Sequence, residues 1–167
     1  VMGVSQVFAY NLSGYEVSDV DPLNYWYNYY DYEEDPDTMG CWYISAEDWN
    51  DTNTDVEYVL VGDLQQHIVR CDFGYVSGVA WDGQCTLTIQ GTTIIYADVT
   101  INTYYSNGYS TNKKCSVTCH ELGHALGLND TGYNSSALMN GYTNRRYDYY
   151  GIYTPQTDDI NGVNAMY

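Results

Sequence analysis

Apolar residues recur along this chain with two periods. Residues 84–90 and 93–103 alternate apolar and polar positions, with Ile94, Tyr96 and Asp98 opposite Ile95, Ala97 and Val99, a period of two that predicts strands. Residues 55–61 read as a half-buried strand, and residues 6–10 as a first strand closed by a turn at Ser13 and Gly14. The helical period appears twice. Asp35-Pro36 predicts a helix start, with Asp as cap and Pro at the first helical position, and Trp42, Ala46 and Trp49 form its buried stripe. A Gly-containing loop over 106–111 supplies the cap of a second helix running to Leu126, whose core face carries Cys115, Cys119, Leu122 and Leu126. Residues 74–84 are loop-rich, with a short extended piece at 77–82. Beyond Asp130 regular structure thins until Asp158 and Asp159, whose carboxylates suit the positive end of a closing helix. The aromatic, acidic stretch 15–37 predicts no regular element, and rings covering a sheet or helix edge are favoured there over a carbohydrate or partner platform.

The second helix also carries chemistry. His120 and His124 stand four residues apart, which on a helix stacks them on one face within reach of a single metal ion. Glu121 lies off that ligand line, where a carboxylate can take a proton from a metal-activated water without binding the metal. Gly127 can end the helix in the left-handed conformation that only glycine enters cheaply. Asp130 is then placed as a third ligand, leaving one tetrahedral position open. The remaining histidine, His67, sits in a distant segment, so Asp130 is the simpler third ligand. A chance His-Glu-x-x-His on a surface helix is the bland alternative, and it weakens as Gly127, Asp130 and Met139 follow in order.

The run from His120 to Asp130 resembles the extended motif H-E-x-x-H-x-x-G-x-x-H of the metzincin zinc peptidases, with Asp130 in place of the last histidine. That substitution is similar to the one in small secreted peptidases called snapalysins. Residues 135–140, Ser-Ser-Ala-Leu-Met-Asn, resemble the Met-turn that lies beneath the metal in that clan, and residues 154–167 resemble the closing helix of matrixin-like domains. The resemblance implies an α+β, metzincin-like fold. A twisted mixed β-sheet with two long helices would stand above the active-site cleft over about residues 1–127, and a small irregular lower subdomain over 128–167 would end in a helix.

It implies further that an edge strand near Ser77, Gly78, Val79 and Ala80 pairs with substrate backbone. Residues 141–154 would wall the pocket for the residue after the scissile bond, with Tyr142, Arg145, Arg146, Tyr147 and Tyr150 setting specificity. Tyr142 is read as pocket wall in preference to a transition-state donor, and Asp158 and Asp159 as a tie from the last helix to the Met-turn or the amino terminus. The implied function is a secreted zinc-dependent endopeptidase acting on proteins or peptides, with His120, His124 and Asp130 as ligands and Glu121 as general base. Structural calcium is a further expectation, from the family and from the acidity. Two readings compete: a zinc amidase acting on cell-wall peptides, and a non-catalytic tyrosine-rich binding module with structural zinc. A structural site is closed by four protein ligands, and three are found here.

Length and composition narrow the setting. The 167 residues read as one domain, 1–167, and a monomer is expected. Twenty-two Asp and Glu against five Lys and Arg give a net charge of -17, which repels nucleic acid and anionic lipid and excludes both as partners. No stretch approaches the roughly eighteen apolar residues of a membrane helix, and the first ten residues lack a signal-peptide pattern, so the chain reads as a mature domain. Five cysteines point to an oxidising compartment with at least one thiol left over. Cys71 and Cys85 bracket a Gly-rich loop and are expected to pair, and one of Cys115 and Cys119 is expected to meet Cys41.

Overall fold

The computed structural model describes residues 10–20, 22–28, 34–62 and 68–167, so His67 and all but the last residue of the expected first strand lie outside it. In chain order the elements are β1 (Asn11–Leu12), β2 (Glu16–Val17), β3 (Leu23–Tyr27), α1 (Pro36–Asn50), β4 (Tyr58–Leu60), β5 (Val69–Gly74), β6 (Gly83–Gln90) and β7 (Thr93–Asn102). A short α2 (Thr103–Ser106) and the long α3 (Thr111–Ala125) follow, then β8 (Leu128–Asn129), a π-helix over Asn144–Tyr149 and α4 (Thr157–Asn164).

The main sheet is mixed, as expected. β4, β3, β5 and β7 run parallel side by side, β2 adds to the start of β7, and β6 closes the far edge antiparallel to β7. The period of two holds along β7 with one break. Ile94, Ala97, Val99 and Ile101 point into the core, and the phase resets at Ile95, where the pairing with β6 slips by one residue. A bulge of this kind puts two residues against one, so inward side chains on both sides of it are compatible. Besides the two-residue strands β1, β2 and β8, two longer strands lie where the sequence predicts none: β5, whose pattern is broken by Arg70 and Asp72, and β3, which lies inside the aromatic stretch. Tyr25 of β3 is fully buried and meets Tyr58 edge-on at 6.1 Å, so part of that stretch is core and not a platform.

α1 and α3 pack together against the sheet. α1 begins as expected, with Asp35 accepting the Thr38 N–H at 3.0 Å and Pro36 in the first turn. Its Trp42 and Trp49 are fully buried, and each indole N–H finds a carbonyl, Asp72 O at 3.3 Å and Cys119 O at 3.0 Å. A buried indole needs such a partner. No helix among the described residues is long and apolar enough to cross a membrane.

The expected Cys71–Cys85 pair does not form. Both cysteines stand opposite Val99, one on each side of β7, so two strand spacings, about 9–10 Å, separate them. A disulfide spans Cα atoms up to about 7 Å apart.

α3 stops where the sequence says it should. Gly127 follows the cap with φ +98°, and a Cβ there would run into Tyr15 O. Gly127 O accepts the Ser13 N–H at 2.9 Å, and β1 pairs antiparallel with β8 just beyond, so the amino-terminal stretch is sewn onto the turn that leaves the helix. Gly127→Ala combines left-handed strain with a backbone collision and is expected to cost about 2–4 kcal/mol. Thermal unfolding should show a midpoint lowered by more than about 5 °C; an unchanged midpoint would remove the turn's dependence on glycine.

Candidate metal centre

Each histidine of the motif is aimed by a backbone carbonyl. His120 Nδ1 lies 2.9 Å from Leu138 O and His124 Nδ1 lies 2.8 Å from Leu128 O. A carbonyl oxygen can only accept, so both Nδ1 atoms carry the proton and both Nε2 lone pairs turn the other way. They turn toward Asp130, whose Oδ1 is 3.2 Å from His120 Nε2 and 3.3 Å from His124 Nε2. Three electron-rich atoms facing one another repel unless a cation stands between them. The edge of a tetrahedron built with zinc bonds of about 2.0–2.1 Å is roughly 3.3 Å, which is the spacing observed. Among the described residues this is the one convergent group of three or more His, Cys, Asp or Glu side chains, so the donor set fits zinc and nothing in the structure supports calcium.

The charges around the site follow from burial. His120 is pushed down to about 3 by burial, assisted by the Arg146 cation and resisted by Asp130. Burial acts the same way on His124, but the contact with Asp130 and the charge of Glu121 outweigh it, and His124 is raised. Burial works to raise Asp130; contact with the two imidazoles outweighs it and holds the carboxyl well below the usual range. Glu121, 5% exposed, is pushed up to about 7 by burial, the range a proton acceptor needs to be recharged near neutral pH.

Three glycines give these groups room. A Cβ at Gly83, the first residue of β6, would fall on Glu121 Oε1 and Val117 Cγ1. At Gly123 it would strike Met139 Sδ, and at Gly141 it would lie 2.7 Å from the Asp130 carboxylate. Met139 is 2% exposed and sits against α3 one residue before His124, where the Met-turn was expected. That turn is fixed from below. Asp159 of α4 accepts Leu138 N–H at 2.8 Å, Met139 N–H at 3.0 Å and Gln156 N–H at 2.8 Å. Arg146, 1% exposed, donates Nε to Ser116 Oγ at 2.9 Å, Nη1 to Asn140 O at 2.5 Å and Nη2 to Thr143 Oγ1 at 3.0 Å.

The ligand atoms open into a cleft of about 730 Å³, with Glu121 in its wall and β6 along its upper side. The expected edge strand is present but begins later than foreseen. Ser77, Gly78 and Val79 lie in the loop before β6 and away from the cleft, while Ala80 lines it. That loop is pinned by Asn102, which accepts Val76 N–H at 3.0 Å and donates to Val76 O and Trp81 O. On the lower side Tyr142 and Arg146 line the cleft as expected. Arg145, Tyr147 and Tyr150 do not. Arg145 lies over the Tyr149 ring at 3.6 Å and against Tyr133 and Tyr150, and Tyr147 Oη meets Ser110 Oγ at 3.2 Å. Tyr142 packs edge-on against Tyr133 at 5.1 Å, in keeping with a wall. Gly83, Asn102 and the Arg146 network were not singled out by their spacing. A strand opening on glycine was the available signal for Gly83; a buried arginine inside a polar run leaves none.

Two substitutions test this centre. Asp130→Ala should weaken zinc binding by more than the roughly 10–100-fold typical of losing an outer-shell partner, measured by competition with a chromophoric chelator; unchanged affinity would take Asp130 out of the donor set. Asp159→Asn sets an amide N–H₂ against backbone N–H groups and should destabilise the fold by about 2–4 kcal/mol in denaturant unfolding. Wild-type stability in that variant would show that the Met-turn does not depend on the tie.

No curated protein is a significant match to the chain. The family model for Matrixin matches residues 38–167, which covers α1 from its third residue, β4 to β8, α3 with the histidine motif, the residues of the expected Met-turn and the closing helix. The chain therefore belongs to the matrixin family of zinc-dependent metallopeptidases.

Proposed function

We propose that this metallopeptidase is a secreted, monomeric endopeptidase in which His120, His124 and Asp130 hold the zinc and Glu121 is the general base. The observation that carries the reading is the convergence of two Nε2 lone pairs and one carboxylate oxygen beside a buried glutamate, at the wall of an open cleft. Three protein donors are one fewer than a structural zinc site uses, which argues against a binding module closed around its metal. Zinc in this site supplies a Lewis acid that polarises the scissile carbonyl and acidifies a water. Glu121 takes the proton as the water attacks and hands it to the leaving nitrogen.

Peptide substrates, in preference to cell-wall amides, are supported by the outer edge of β6 along the cleft, which pairs with no other strand among the described residues. An extended chain can add to that edge through its backbone without every side chain being read. Tyr142 and Arg146 line the opposite wall, where the residue after the scissile bond would lie. Secretion is supported by the net charge of -17 and the five cysteines.

Glu121→Gln should lower kcat/KM on a denatured protein substrate by at least about 10²–10⁴-fold while zinc content stays at one per chain. Retained turnover would remove Glu121 from its role, and cleavage of cell-wall fragments alone would favour the amidase.

A further inference from the structure

All five cysteines are thiols in this structure, and two of them stand apart from the rest. α1 and α3 meet along a seam of small polar side chains. Ser45 Oγ is 2.7 Å from Thr118 Oγ1, Thr118 Oγ1 donates to Cys41 O at 3.3 Å, and Ser45 Oγ donates to Cys115 O at 3.4 Å. Short side chains that reach the backbone of the facing helix bring the two axes close together. At the end of this seam the sulfurs of Cys41 and Cys115 lie 2.9 Å apart. Unbonded heavy atoms come to rest at about 3.5–4.0 Å even when they are carbon, so this spacing is tight for two separate thiols. Both residues are buried, Cys41 at 0% and Cys115 at 2% exposed.

We propose that Cys41 and Cys115 are joined by a disulfide that clamps the metal-bearing helix to α1. The oxidant is an external disulfide of the glutathione class. One cysteine, as thiolate, attacks it, forming a mixed disulfide and expelling one small thiolate. The second cysteine then attacks the protein sulfur of that mixed disulfide and expels the other. The two protons lost by Cys41 and Cys115 go to the two departing thiolates, so one external disulfide becomes two thiols. Because both sulfurs are buried once the helices meet, the exchange takes place during folding. The remaining cysteines have no such neighbour: Cys71 and Cys85 are held apart by β7, and Cys119 Sγ turns to Ser45 O at 3.9 Å. One bond and three thiols account for the odd count.

The clamp has a direct reach into the site. Cys115 is five residues before His120 on the same helix, and the bond closes a loop between positions 74 residues apart, which holds β4 to β7. Closing a loop that long restricts the unfolded chain strongly. The proposal stands independently of the peptidase reading, since neither sulfur touches the cleft.

The test is made on the full chain folded with zinc and a mixture of oxidised and reduced glutathione. After denaturation and blocking with N-ethylmaleimide, the intact mass should show three adducts, and a non-reducing peptide map should show the Cys41 and Cys115 peptides linked, about two mass units below their sum. Five adducts, or a link through any other cysteine, would overturn the assignment. Reduction with a phosphine should lower the thermal midpoint of the wild-type chain by more than about 5 °C and leave that of a Cys41→Ser/Cys115→Ser double variant where it was. A wild-type midpoint indifferent to the reductant would overturn the clamp.

Discussion

Two backbone carbonyls decide the chemistry of this molecule. By accepting the Nδ1 protons of His120 and His124, Leu138 O and Leu128 O fix the tautomer of each ring and turn both Nε2 lone pairs toward Asp130. The imidazoles come from a helix and are spaced by its pitch, but their rotation about χ2 is not set by the helix. It is set by chain that arrives later: the turn at Gly127, which presents Leu128, and the Met-turn, which presents Leu138. A ligand held by such a second bond is a better and more rigid donor than a free imidazole.

That demand explains much of the lower part. The Met-turn must come close under α3, and it can because position 123 lacks a side chain. It must also stay there, and the buried carboxylate of Asp159 takes the N–H groups of Leu138 and Met139 while capping α4 through Gln156. A charged acceptor receiving three backbone donors is among the stronger hydrogen-bond arrangements a protein interior offers. On the opposite side Gly83 lets the first residue of the edge strand sit directly over Glu121, so the edge backbone and the buried glutamate are neighbours by construction.

The parts legible in the sequence are those where one local rule acts alone. Helical spacing of His120 and His124, the Asp35-Pro36 start of α1, the glycine stop at 127 and the alternation of β7 each needed only their own neighbours. Where tertiary context rules, the reading failed for identifiable reasons. β5 is a central strand, yet Arg70 and Asp72 break its apolar run because they alternate with the buried Val69 and Cys71 and pair with each other at 2.8 Å on the half-exposed face. β3 was hidden because tyrosine is indifferent to the distinction between core and surface until its hydroxyl has a partner. Cys71 and Cys85 flank a loop in sequence but flank a whole strand in space. Arg145 and Arg146 are adjacent in a polar run, and only the fold sends one into an aromatic cage and the other into the protein interior.

The π-helix over Asn144–Tyr149 carries Arg146, and that one guanidinium reaches the residue after Met139, the cleft wall at Thr143 and, through Ser116, the helix of the histidines; Ser116 in turn donates to Ile152 O at 2.7 Å. Four separate pieces of chain thus share a single planar hub with no slack in it. Cleft shape and the placing of the histidines are for that reason not independent traits in this scaffold: a change that reshapes the lower wall also tugs on the support of the histidine helix. Change in the shape of the cleft should therefore be constrained on this wall and freer along β6, whose outer residues join no comparable network among the described residues.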